Sequence, residues 1–140
     1  GVLQPVITQH TQMTRAGTER FEANAIEAAE QCGILTIPRI DEPARLETLI
    51  GGWAADEPHR RIIFCDEGEA GDDPLVTLAA LPPSPLAVLV GPEGGLSAAE
   101  IAQARRAGYL GLRLGPRILR TETAGIAALA ALQTLWGDLG

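Results

Sequence analysis

Along the chain, apolar runs of strand length alternate with longer stretches whose apolar positions recur every three or four residues. That alternation predicts an α/β domain with a mainly parallel sheet. Val2 to Ile7 reads as a strand. Thr18 to Gln31 reads as a helix, with Phe21, Ala25, Ile26, Ala28 and Ala29 at helical spacing and Gly33 as its C-cap. An extended piece from Leu35 to Ile40 leads to a helix over Pro43 to Ile50, closed by Gly51-Gly52. Arg61 to Cys65 and Leu86 to Val90 have the composition of buried strands, the second set off by the breaker Pro82-Pro83-Ser84-Pro85. Between them, Asp66 to Asp73 holds five acids and no apolar residue but Ala70. This is the pattern of a solvated loop, and it lacks the ordered ligand spacing of a calcium loop.

Gly91-Pro92-Glu93-Gly94-Gly95 then interrupts the chain, and Ser97-Ala98-Ala99-Glu100 opens a helix to about Ala107 as a capping box. Tyr109 to Leu114 is a strand ending in Gly115-Pro116. A last helix runs from Thr121 to Trp136 and stops at Gly137. Ala124, Ile126, Ala127, Ala128, Leu129, Ala130, Ala131, Leu132 and Leu135 make that helix apolar on most of its circumference. Such a helix is buried on more than one side, and in so short a chain a second copy is expected to cover one of them.

Composition narrows the function. The 140 residues, 46% hydrophobic and 21% charged, suit a single folded domain. Lys plus Arg is 11 against 18 acids, and the formal charge of -7 argues against nonspecific coating of nucleic acid or of anionic membranes. All 11 basic residues are Arg, so a side-chain Schiff base and the phosphate-binding Lys of a P-loop are excluded. Cys32, Cys65, His10 and His59 have neither zinc-ligand spacing nor the look of a disulfide framework; no metal is expected, and a reducing, cytoplasmic compartment is. No apolar run approaches a membrane span. The chain opens Gly1-Val2-Leu3 without an initiator Met, as a piece of a longer protein would.

Two segments carry candidate chemistry. Leu89 to Gly95 is a strand running into a glycine-rich turn and a capped helix, an arrangement that brings backbone N–H groups close to a ligand. Glycines at positive φ in a tight turn explain the same residues, and G-x-x-G-G spacing is not the dinucleotide fingerprint. In the second segment, LGPRILRTETA from Leu114 to Ala124, Arg117, Arg120 and Glu122 surround a helix start that Thr121 or Thr123 is placed to cap. From Ile101 to Thr121 there are five Arg and no acid, a local basic patch suited to a particular polyanion.

Taken together, LVGPEGGLSAAE at Leu89 to Glu100, LGPRILRTETA at Leu114 to Ala124, EAAEQCG at Glu27 to Gly33 and the final GDLG resemble the RsmE family, bacterial small-subunit rRNA methyltransferases that modify N3 of a uridine. The resemblance implies a SPOUT-type α/β fold whose C-terminal stretch forms a deep trefoil knot, an exception to the unknotted rule. It also implies an S-adenosylmethionine cofactor, a homodimer and 16S rRNA as substrate. Leu89, Val90, Gly91 and Gly94 would line one wall of the cofactor pocket, and Leu114, Gly115, Ile118 and Leu119 the other. The end of the Arg61 to Cys65 strand and its following loop would form a third edge.

Methyl transfer to uridine N3 needs a deprotonated nucleophile. Arg stays protonated and cannot be the base. Arg120 is therefore expected to stabilise the uracil anion and Glu122 to accept or orient the N3 proton, with Arg117 on a phosphate or the cofactor carboxylate. Glu30 and Gln31 are candidates for the target-base side; a surface-helix carboxylate reads equally well for Glu30. The chain departs from the family at Gln9-His10, where Glu-Arg is common, and at Ile34, where Arg is. A PUA-like RNA-binding domain and the first strand and helix of the knotted domain would precede Gly1. The rival readings are a noncatalytic RNA-binding or dimerisation module of the same fold, and a SPOUT methyltransferase acting on tRNA.

Overall fold

In the computed structural model, residues 1–11, 17–66 and 74–137 are described. The last three residues of the GDLG segment and most of the acidic stretch at 67–73 therefore lie outside the described residues.

A three-stranded parallel sheet organises the chain, with β5 (Arg61–Cys65) between β6 (Leu86–Leu89) and β7 (Leu110–Leu112). β5 packs on both faces, and since side chains alternate along a strand its residues after Arg61 form a continuous apolar run, Ile62 to Cys65. Ile62 and Phe64 face Leu46, Ile50, Leu89 and Ala104. Ile63 faces Leu78, Leu112, Ala128 and Leu132. The first layer is supplied by α2 (Leu46–Asp56) and α4 (Ala98–Arg106), the second by α3 (Pro74–Ala79) and α5 (Thr121–Trp136). Phe64 and Ile63, both 0% exposed, are the centre of the two cores.

The expected first strand is divided in two. β1 (Val2–Leu3) pairs in parallel with β3 (Arg39–Ile40), and β2 (Val6–Ile7) with β4 (Ala44–Arg45). Pro5 has no N–H to give the ladder. The register also slips by one: two residues lie between Leu3 and Val6, whereas three lie between their partners Ile40 and Ala44. An extra residue of this kind bends and interrupts a strand pair. Pro43 consequently lies outside the helix expected to start there.

Gly51-Gly52 does not end that helix, which continues to Asp56. Each glycine costs about 1 kcal/mol of helix propensity. Leu46, Leu49, Ile50 and Trp53 nevertheless keep one face packed on the core, and Trp53 Nε1 donates to the Arg60 carbonyl at 2.8 Å. The remaining helices follow their local signals. α1 spans Gly17–Cys32 and gives way at Gly33, whose φ is +64°. Ser97 and Glu100 form the capping box of α4. Gly137 follows α5.

Two apolar faces find little cover within one chain. On α1, Ala29 is buried but Phe21 and Ile26 are exposed. On α5, Ala124, Ala128 and Leu132 form one buried stripe, while Ile126 is 70% and Leu129 54% exposed. Among the described residues, no helix is long and apolar enough to cross a membrane.

Candidate functional site

From β5 the chain crosses by way of α3 to β6 on one side, then back over β5 by way of α4 to β7 on the other. In open parallel sheets the crevice outside the carboxyl ends of the strands, where the winding reverses, is where ligands bind. A cavity of about 390 Å³ lies there. Cys65 and Asp66 after β5 form one edge, the turn from Val90 to Leu96 a second, and the loop from Leu112 to Leu119 a third. Thr121 and Ala124 on α5 complete the lining.

Local chemistry holds these loops. The Gly95 N–H donates to the Pro92 carbonyl at 2.8 Å, closing the turn, and Gly95 has a φ of +71°. Gly91 and Gly94 do not have positive φ; a side chain at either would crowd its neighbours. A Cβ on Gly91 would sit 3.3 Å from the backbone nitrogen of Leu96, and one on Gly94 would sit 3.1 Å from Cβ of His10. In the other loop Gly115 has a φ of +92°, and its carbonyl accepts from Arg113 Nε at 3.2 Å. The two loops are tied directly, since the Thr121 hydroxyl donates to the Gly91 carbonyl at 3.0 Å. Thr121 therefore does not cap α5: Arg120 is its N-cap residue and offers no side-chain bond.

Burial and charge shape the strand end. Cys65 is pushed up to about 11 by desolvation, so its thiol is neutral at physiological pH. Asp66 is not a solvated loop residue; its side chain is 11% exposed and ion-paired to Arg105. The Arg105 guanidinium also lies over the Phe64 ring, 5.8 Å from its centroid. One of the five Arg that stand without an acid in sequence is thus neutralised in space. Arg113 and Arg117 line the cavity, and neither has an ion-pair partner among the described residues.

Most of the expected pocket residues are brought together. Val90, Gly91, Gly94, Leu114, Gly115, Ile118, Leu119 and Arg117 all line the cavity. Leu89 does not. It pairs with Phe64, shares that residue's face of the sheet, and is buried in the core. Arg120 and Glu122 flank Thr121, exposed and outside the lining. Glu30 and Gln31 are exposed near the end of α1 and are not part of the lining either. Leu96, Ile101 and Ala124, absent from the sequence expectation, line the cavity; helical spacing from Ser97 and Thr121 is the signal that would have found the last two.

An α/β domain with this cavity at the ends of its parallel strands is the class the geometry defines. The family described as RNA methyltransferase domain matches residues 1–133, and the chain belongs to it. Ribosomal RNA small subunit methyltransferase E of Buchnera aphidicola subsp. Acyrthosiphon pisum is 34% identical over 124 residues, covering 86% of this chain and 45% of that protein. The solved structure of ribosomal RNA small subunit methyltransferase E from Neisseria gonorrhoeae, bound to S-adenosyl methionine, superposes with a TM-score of 0.79 at 34% identity, over 99% of this chain and 56% of that one. A Legionella pneumophila protein, solved in complex with the bound cofactor SAM, gives 0.78 at 33% identity, over 99% and 57%. The chain spans about half the length of these relatives.

Proposed function

We propose that this chain is the cofactor-binding domain of an S-adenosylmethionine-dependent methyltransferase that methylates N3 of a uridine in 16S rRNA, working as a cytoplasmic homodimer without a metal. The observation that carries the reading is the joining of two sequence-distant motifs, Val90 to Leu96 and Leu114 to Leu119, in one cavity at the ends of the sheet. Its chemistry suits the cofactor. Leu114, Ile118 and Leu119 offer aliphatic walls to an adenine, the glycine-bearing loops offer backbone groups, and Arg117 offers charge to a carboxylate. Relatives at 33% and 34% identity were solved with that cofactor. The loop tied to Gly91 through Thr121, with α5 returning over β5 and β6, is what a SPOUT-type knotted topology would require. A PUA-like RNA-binding domain would belong to the longer enzyme.

When bound, the cofactor supplies a sulfonium-activated methyl group. The chain's own residues prepare the nucleophile. Arg120, between the lining residues Leu119 and Thr121, stabilises negative charge on the uracil carbonyl oxygens as N3 loses its proton. Glu122, two residues on and in the first turn of α5, accepts or orients that proton. Arg117 lies inside the cavity, where it meets the cofactor carboxylate or a phosphate. Leu89 supports this wall from the core, and Glu30 and Gln31 are left to the target-base side.

Single-turnover methylation of 16S rRNA with Arg120→Ala and Glu122→Ala tests these roles. Made in the longer enzyme, since this chain alone is expected to bind cofactor but methylate weakly, each is expected to lose about 100-fold or more with cofactor affinity retained. Near-normal turnover in both would contradict the assignment.

A further inference from the structure

A second cavity, of about 560 Å³, lies on the far side of the wall that bounds the first. The wall is the turn leading into α4 and that helix's first turns. Gly94, Gly95, Leu96 and Ile101 face the first cavity, whereas Ser97, Ala99, Glu100 and Gln103 face the second. The opposite side is formed by Thr8 and Gln9 after β2 and by Arg45 and Glu47 at the start of α2.

This groove is built by specific bonds. Glu100 accepts from the Gln9 N–H at 2.7 Å and from the Ser97 N–H at 2.8 Å, so both of its oxygens are occupied. Thr8 and Thr11 share a hydroxyl contact of 2.7 Å that fixes the segment in front of α4. Gln103 Nε2 donates to the Glu47 carbonyl at 3.3 Å, joining α4 to the start of α2. Arg45 and Arg106 are exposed in this frame and have no carboxylate partner among the described residues. Two Arg and two Glu balance in this groove, but Glu100 is taken up by backbone N–H groups, which leaves the two guanidinium groups free to meet anionic oxygens. Glu47 adds an acceptor, which a bare phosphate would not use.

We propose that this groove holds the single-stranded RNA flanking the target nucleotide, with Arg45 and Arg106 on backbone phosphates and Glu47 accepting from a ribose hydroxyl or a base N–H. The proposal rests on the RNA-methyltransferase reading above and deepens it. An enzyme that acts on a ring nitrogen takes the base out of its stack, and the neighbouring backbone must then be held close to the cavity that receives it. A groove one helix-start away supplies that hold. An acidic peptide fits less well, since its carboxylates offer Glu47 no hydrogen-bond donor where a ribose hydroxyl or a base N–H would.

Fluorescence anisotropy of a labelled oligouridine of about ten nucleotides, measured across a salt series, tests this. The double variant Arg45→Ala/Arg106→Ala is expected to bind about tenfold more weakly and to flatten the log–log salt slope by about 1.4, the loss of two single-strand phosphate contacts. Arg39→Ala, which removes an exposed Arg paired with Asp41 outside the groove, should leave both unchanged. Cofactor affinity by calorimetry, retained in the double variant, shows that the fold and first cavity are intact. Unchanged RNA affinity and slope in the double variant would overturn the proposal, as would competition by a polyglutamate peptide at lower concentration than oligouridine. Absence of cofactor binding by the unsubstituted chain would count against the methyl-transfer reading, whatever Arg45 and Arg106 do to RNA affinity.

Discussion

Cys65 and Asp66 are adjacent, yet the cavity edge they form is quiet for opposite reasons: one is a thiol kept neutral by burial, the other a carboxylate neutralised by Arg105. A Cys pKa raised from 9.0 to about 11 means that the folded state keeps a proton the unfolded state gives up in that interval. The stabilisation is present below pH 9.0 and is lost as pH rises toward 11. The same shift predicts reactivity. With a thiolate-selective disulfide reagent at pH 8, exposed Cys32 should react at least about tenfold faster than Cys65, and Cys65 should accelerate as pH rises. Equal rates at the two positions would contradict the burial argument. Neither the shift nor the ion pair was legible in sequence. Asp66 stands among five acids, and its partner is 39 residues away.

Among the elements, those with strong local signals were read closely. β5 spans the expected Arg61 to Cys65, and α4 starts at its capping box, because strand burial and helix capping are both decided within a few residues. The misreadings have tertiary causes. Gly51-Gly52 looked like a stop, but packing by Ile50 and Trp53 outweighs two weak helix formers. The break at Gln4-Pro5 depends on a partner strand carrying an extra residue, and α3 is six residues long with Leu78 as its buried anchor. Leu89, expected in the pocket, is turned by strand alternation to Phe64's side of the sheet. α5 carries the prediction that belongs to this scale. Its stripe of Ala124, Ala128 and Leu132 docks it on the sheet and leaves Ile126 and Leu129 exposed, the face proposed to meet a second copy. Ile126→Glu/Leu129→Glu should shift sedimentation from dimer to monomer while changing monomer stability by less than about 1 kcal/mol. A chain that sediments as a monomer before substitution would refute the dimer.

For the whole molecule, the acidic balance conceals an arrangement that only the fold reveals. The cavity at the ends of the sheet gathers Arg113 and Arg117, and the groove behind it gathers Arg45 and Arg106, although the chain as a whole is at -7. The two pocket-forming motifs were visible as segments because glycine and proline punctuate regular elements and arginine is seldom buried. Their meeting was not, since a hydrogen bond from Thr121 to Gly91 spans 30 residues. That meeting point is the proposed cofactor site. Isothermal titration calorimetry of the chain with S-adenosylmethionine, alongside Ile118→Asp, tests it most directly. Ile118 is 77% exposed, so the substitution spares the core while placing a charge on the expected adenine wall. One cofactor per chain, with affinity at least about tenfold weaker in the variant, is the predicted result. No measurable binding to the unsubstituted chain, or equal affinity in both, would contradict it.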